Sequence, residues 1–159
     1  MKLFPTKEFT AELRSDFSIS KENLKLETDI TDSLVSDWTN KEFRGQVYDN
    51  GFKLISSEIG IGAVCVLDGK FNGKVGEIEI RIHKAFKVMF SILMLMPFSI
   101  FLFEIITNGI KDSIGLIVPA TMGIVFGRFV LIEFSFRYIS KIGIDKLTDI
   151  LTIKDLKKI

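Results

Sequence analysis

Few residues of this chain combine the type and spacing that chemistry requires. The single cysteine, Cys65, cannot close an intramolecular disulfide, and the single histidine, His83, cannot build a metal site with it. Cys65 lies in an apolar run and reads as a small buried hydrophobe. His83 stands where charged sequence gives way to apolar sequence, a place that suits a solvated or packed junction histidine better than a pH sensor. Gly60-Ile61-Gly62 lacks the third glycine and following helix of a dinucleotide fingerprint and reads as a flexible strand start or a bulge. Acidic residues are plentiful, but none stands with a nucleophile or base in a catalytic order. The expectation is a protein that is not an enzyme and has no cofactor and no metal.

Two charges in apolar surroundings are different in kind. Arg128 and Glu104 interrupt the stretch from Val88 to Ile132, together with Lys111 and Asp112. A charge inside a membrane segment is a functional-site candidate by default. Arg128, however, lies close to one end of its segment, where a long side chain can snorkel to the headgroups. Glu133, five positions on, is a poor partner for it on an α-helix. Snorkelling is therefore preferred to a role in gating or partner contact. Glu104 is within reach of Lys111 across the connector. Gly123 and Gly127 form a GxxxG pair with Ala120 one turn earlier, a spacing that lets another helix approach closely. That face suits the neighbouring helix, a sister chain or another protein.

The elements that must carry these residues follow from hydropathy. Mean hydropathy is +0.32 and 47% of residues are hydrophobic, but the average hides two populations, because residues 1–85 carry charges throughout. Two apolar segments, about 85–107 and 114–132, predict a transmembrane helical hairpin over 85–134, since open backbone is not tolerated in lipid. Pro97 predicts a kink in the first helix. Asn108 to Ser113 has loop chemistry and is short enough to force an antiparallel pair. Lys70, Lys74, Arg81, Lys84 and Lys87 precede the hairpin, and Arg137, Lys141 and Lys146 follow it, whereas the connector offers only Lys111. The positive-inside rule then places both termini in the cytoplasm. The first residues lack the apolar stretch of a secretory signal, which agrees.

Residues 1–84 read as a soluble β-rich domain. Glu42–Asp49 and Gly51–Ser57 flank the turn-like Asp49-Asn50-Gly51. A third strand is expected over Ile61–Leu67, before Asp68-Gly69-Lys70 and Asn72-Gly73. A fourth, Gly76–Ile82, alternates Ile78, Ile80 and Ile82 with Glu77, Glu79 and Arg81. The pattern is an antiparallel sheet with one wet face, its apolar face covered by a helix, lipid or a partner. Upstream, residues 6–19 suggest a strand, and a helix is expected from Ser20 to about Trp38. Residues 135–159 read as a cytoplasmic amphipathic tail, with Ile144, Leu147, Ile150 and Leu151 at helical spacing, and packing against the sheet is preferred to a place on the membrane. The fold class is thus an α+β membrane protein: a small antiparallel sheet with one possible helix, a transmembrane hairpin and an amphipathic C-terminal helix.

Phe43-Arg44-Gly45-Gln46-Val47, Gly51-Phe52-Lys53-Leu54, Leu67-Asp68-Gly69-Lys70-Phe71 and Ile78–His83 running into the apolar segments form a recognisable succession. It resembles small bacterial membrane proteins in which a short β-domain precedes a two-helix hairpin, over about residues 41–135. The resemblance implies this architecture and no activity. A net charge of +1 without a basic block gives no reason to expect nucleic acid. The chain is therefore expected to be a non-enzymatic interaction protein of the bacterial inner membrane. Its partners would be membrane lipid and either another membrane protein or copies of itself, in the role of accessory subunit, regulator or immunity-type antagonist. The alternative is an effector whose hairpins assemble into a pore.

Overall fold

The computed structural model describes residues 4–159 except Ser36, Ile59 and Ile61. The chain forms two units: Pro5–His83 with Phe136–Ile159 make one, and Lys84–Ser135 belong to the other. The protein is α+β, with a mixed seven-stranded sheet and two long apolar helices.

The sheet unit opens with β1 (Thr6–Leu13), α1 (Phe17–Leu26) and β2 (Thr28–Ile30). It continues through β3 (Phe43–Tyr48), β4 (Gly51–Ser56), β5 (Cys65–Asn72) and β6 (Val75–Ile82), and ends with β7 (Ile153–Lys158). The strand order is β2-β3-β4-β5-β6-β1-β7, parallel only at β2–β3. The alternation read in β6 holds: Ile78, Ile80 and Ile82 are buried. In register with them lie Cys65, Leu67 and Gly69 of β5, and then Phe52 and Leu54 of β4. Helical residues Phe17, Leu24, Phe136, Leu147 and Leu151 are buried as well, so the apolar face is closed by the chain's own helices.

Several boundaries differ from the sequence reading, each for a local reason. The third strand starts at Cys65 after a short 3₁₀ turn over Gly62–Val64, and its expected first residue, Ile61, lies outside the described residues. It then runs straight through Asp68-Gly69-Lys70. Gly69 serves the strand because a Cβ there would fall 2.3 Å from the Phe52 ring, so its lack of a side chain makes room for the aromatic. The turn is Gly73-Lys74, closed by the Asn72–Val75 pair, and Gly73 has the positive φ of +64° that favours glycine.

The first helix begins earlier and ends earlier than expected. Asp16 caps it by accepting from the Ser18 amide at 3.1 Å, and Phe17 stacks on Phe71 with ring centroids 4.7 Å apart. The acidic, β-branched stretch after Leu26 becomes β2 instead of more helix. The carboxyl-terminal residues differ most. Helix continues to Leu151 and residues 136–159 belong to the sheet unit, which agrees with the expected packing of the tail, but Thr152 turns at φ 51° and the last residues form β7, paired with β1, instead of more helix. Ile153 is buried and Leu156 half-buried, three positions apart, a spacing that imitates a helix.

Candidate functional site

The hairpin unit contains α2 (Lys84–Asn108), α3 (Ile110–Ser113) and the first part of α4, a helix that runs from Ile114 to Leu151. The 25 residues of α2 rise about 37 Å, against a hydrocarbon core of about 30 Å. Both α2 and α4 are long and apolar enough to cross a membrane. No side chain of α2 is buried, and Val88, Ile92, Met96, Phe103 and Ile106 stand exposed along it. The hydroxyls of Ser91, Ser99 and Thr107 donate to carbonyls of their own helix, at Lys87, Leu95 and Phe103. The expected loop is mostly helical: only Gly109, at φ +84°, interrupts the winding before α3.

The small-residue face of α4 is turned towards α2. A Cβ on Gly123 would stand 3.2 Å from Pro97 Cγ, and one on Gly127 would stand 3.7 Å from Met94 Cγ. Position falls on one helix as it rises on the other, as an antiparallel pair demands. Ala120 continues this line and borders an open apolar pocket of about 190 Å³ with Pro97, Ile100, Phe101, Leu116 and Pro119. Pro97 sits inside α2 and cannot donate to the carbonyl one turn back, and Gly123 leaves room for its ring.

Arg128 has the partner that the α-helical reading denied it. Gly127–Phe134 is wound as a π-helix, whose i→i+5 geometry brings residues five apart to one side. Arg128 Nη1 lies 3.0 Å from Glu133 Oε2, with the side chains 12% and 25% exposed. The sequence reading discounted this pair because it assumed α winding throughout. Glu104 also differs from expectation: it accepts from Asn108 Nδ2 within α2 rather than pairing with Lys111.

A cleft of about 200 Å³ on the polar face of the sheet unit is bordered by Glu8, Asp68, Lys70, Glu77 and Glu79 among others. Glu8 and Asp68 flank Glu79 in register on either side. Arg81 offsets the crowding, 3.1 Å from Asp68 and 3.8 Å from Glu79. Among the described residues no group of three or more His, Cys, Asp or Glu is arranged to hold a metal ion. Cys65 is 2% exposed, and burial pushes its thiol up to about 12. On the covered face Lys7 donates to Ser140 at 2.5 Å and lies 5.5 Å from the centroid of the Phe136 ring.

Sequence reasoning missed the loop between β2 and β3. Arg44 of β3 holds Asp37 of that loop at 3.1 Å and Asp29 of β2 at 3.6 Å. Arg44, and next the amide of Trp38, hold the Asp37 carboxyl below its usual range. The available signal was compositional: residues 26–40 carry Glu27, Asp29, Asp32 and Asp37 and no lysine or arginine. Comparison of the chain with family models, with curated proteins and with solved structures gives no match.

Proposed function

We propose that the chain is a membrane-anchored interaction protein, in which the hairpin crosses the bilayer and the sheet unit works at one surface by contact with another protein. One observation carries this reading. The sheet unit is assembled from both flanks of the hairpin, since β7 from beyond it pairs with β1 from before it. A segment of two membrane-length helices, inserted into a single sheet, must leave and return on the same side. The exposed apolar surface of α2 then has lipid as its solvent. The lysines and arginines flanking the hairpin favour the cytoplasmic side of an inner membrane.

Two surfaces that suggested partners in the sequence are engaged within the chain. The Ile78, Ile80 and Ile82 face is buried, and the Gly123 and Gly127 face meets α2. Contact with a partner therefore falls to the remaining surface of the sheet unit, and the hairpin acts as its anchor. The pore reading finds less support, because Arg128 is already engaged with Glu133.

Single cysteines at Lys111, Lys74 and Lys154, in a Cys65→Ala background, test the topology with a membrane-impermeant maleimide on intact cells. Labelling at 111 from outside, and at 74 and 154 only after permeabilisation, is the expected outcome. Equal labelling of all three from outside, or release of the protein by an alkaline carbonate wash, would overturn the reading.

A further inference from the structure

We infer that the β2 edge of the sheet unit, with Leu26, Ile30, Val35 and Trp38, is the docking surface for a protein segment that combines apolar with basic residues. The inference rests on the proposed function and names its partner surface. The two sheet edges are unlike. β7 carries Lys154, Lys157 and Lys158, the charge that keeps an edge from pairing with other chains. β2 carries no lysine or proline, and its neighbourhood exposes large apolar groups. Trp38 is 88% exposed and Val35 62%.

This exposure is presented on a fastened loop. Asp29 and Asp37 both reach Arg44, which ties β2 to the loop. Leu34 lies over Gly45, where a Cβ would come within 3.2 Å of its side chain. Lys41 Nζ donates to the Leu26 carbonyl at 2.5 Å. The backbone next to Trp38 is therefore tied to β3 through Asp37, so binding there has less of the chain to order.

Charge selects the occupant. Glu27, Asp29, Asp32 and Asp37 outnumber the two cations beside them, Arg44, which engages Asp29 and Asp37, and Lys41, so the edge keeps a net negative charge. The same edge of a second copy would set these carboxylates against themselves, and an anionic bilayer surface would be repelled as well. A segment carrying lysine or arginine beside its apolar anchors satisfies both requirements.

Trp38 is the only tryptophan in the chain, so its emission reports on this surface directly. The test uses the full chain in phosphatidylcholine nanodiscs, titrated with an amphipathic leucine–lysine peptide and with its leucine–glutamate counterpart. Empty nanodiscs supply the background. The expected result is a saturable blue shift with the lysine peptide alone. Affinity should fall at least about tenfold in a Glu27→Lys, Asp32→Lys variant whose circular dichroism is unchanged. Trp38→Ala, followed by anisotropy of a labelled lysine peptide, should show a similar loss. An equal response to the glutamate peptide, no response to either, or an emission already blue-shifted by lipid before any peptide is added would each overturn the inference. The maleimide result decides the membrane reading separately, so the two can fail independently.

Discussion

The sheet unit and the hairpin place their apolar residues in opposite ways. In the sheet unit Phe52, Leu54, Ile78, Ile80 and Leu147 are wholly withdrawn from the surface, while polar side chains cover the other face. In the hairpin α2 has no buried side chain at all, and Val88, Ile92, Leu95, Met96, Phe98 and Phe103 stand exposed along it. One unit carries its core inside. The other depends on its surroundings for most of the same burial; among its described residues the protein itself covers Ile132 and the seam of Met94 and Pro97 against Gly127 and Gly123. The difference teaches where each kind of substitution must act.

The largest effect is expected at the centre of the sheet unit. Phe52 is fully buried, its ring centroid 6.1 Å from Phe71 and 6.4 Å from Phe17, and it fills the space above Gly69. Phe52→Ala should cost about 3–5 kcal/mol and unfold or nearly unfold this unit, as read by denaturant titration. An outward hairpin residue of similar size, such as Phe103→Ala, should change the unfolding free energy from the same titration by less than about 0.5 kcal/mol. Similar losses at both positions would break the contrast.

Next comes the ion pair of the π-wound segment. Glu133→Gln removes the charge from the Arg128–Glu133 pair in a partly buried place, so a loss of about 1–3 kcal/mol is expected, between the values for exposed and buried pairs. Lys21 and Asp49 lie 3.1 Å apart with Asp49 fully in solvent, and Asp49→Asn there should be nearly silent. Detergent-solubilised thermal unfolding of the two variants gives the comparison. Gly123→Val then tests the helix seam. A Cβ already stands 3.2 Å from Pro97, so two further methyl groups should cost about 1–3 kcal/mol. A disulfide that forms on oxidation of a Met94→Cys, Gly127→Cys double variant would fix the antiparallel register.

How much of this was legible in the sequence depends on whether a signal was local. The alternation of Ile78, Ile80 and Ile82 and the two apolar helices were readable because periodicity and length are properties of short windows. The small-residue face of α4 was visible as spacing, but its partner, Pro97, is a tertiary fact. Arg128–Glu133 was hidden because the choice of π over α winding leaves no mark on residue spacing. β7 was hidden because Ile153 and Leu156 repeat at a helical interval, and only pairing with β1 makes that segment a strand. Gly69 looked like a turn until the Phe52 ring was found above it. The Trp38 loop carries no period at all, and its order comes from Arg44, which lies beyond it in β3.

The smallest effects are expected from proton titration, and they again divide the molecule. Asp16 caps α1, and hydrogen bonds from the Ser18 amide and then the Ser18 hydroxyl hold its carboxyl below the ordinary value of 3.8. A depressed folded value means that the stabilisation is present above the unfolded value and is lost as pH falls from 3.8 through the lower folded one. Cys65 has the opposite sign. Burial raises its thiol from 9.0 to about 12, so its contribution is complete below 9.0 and declines as pH rises through that interval, where the unfolded chain ionises first. Asp16→Asn should flatten the acid limb of the stability profile, and Cys65→Ala should flatten the alkaline limb. Neither group lies in the hairpin, so the accessibility of a cysteine at Met122, on its exposed surface, should stay constant across both limbs. A change at 122 that tracks either limb would mean that the two units unfold as one, and the contrast between them would no longer hold.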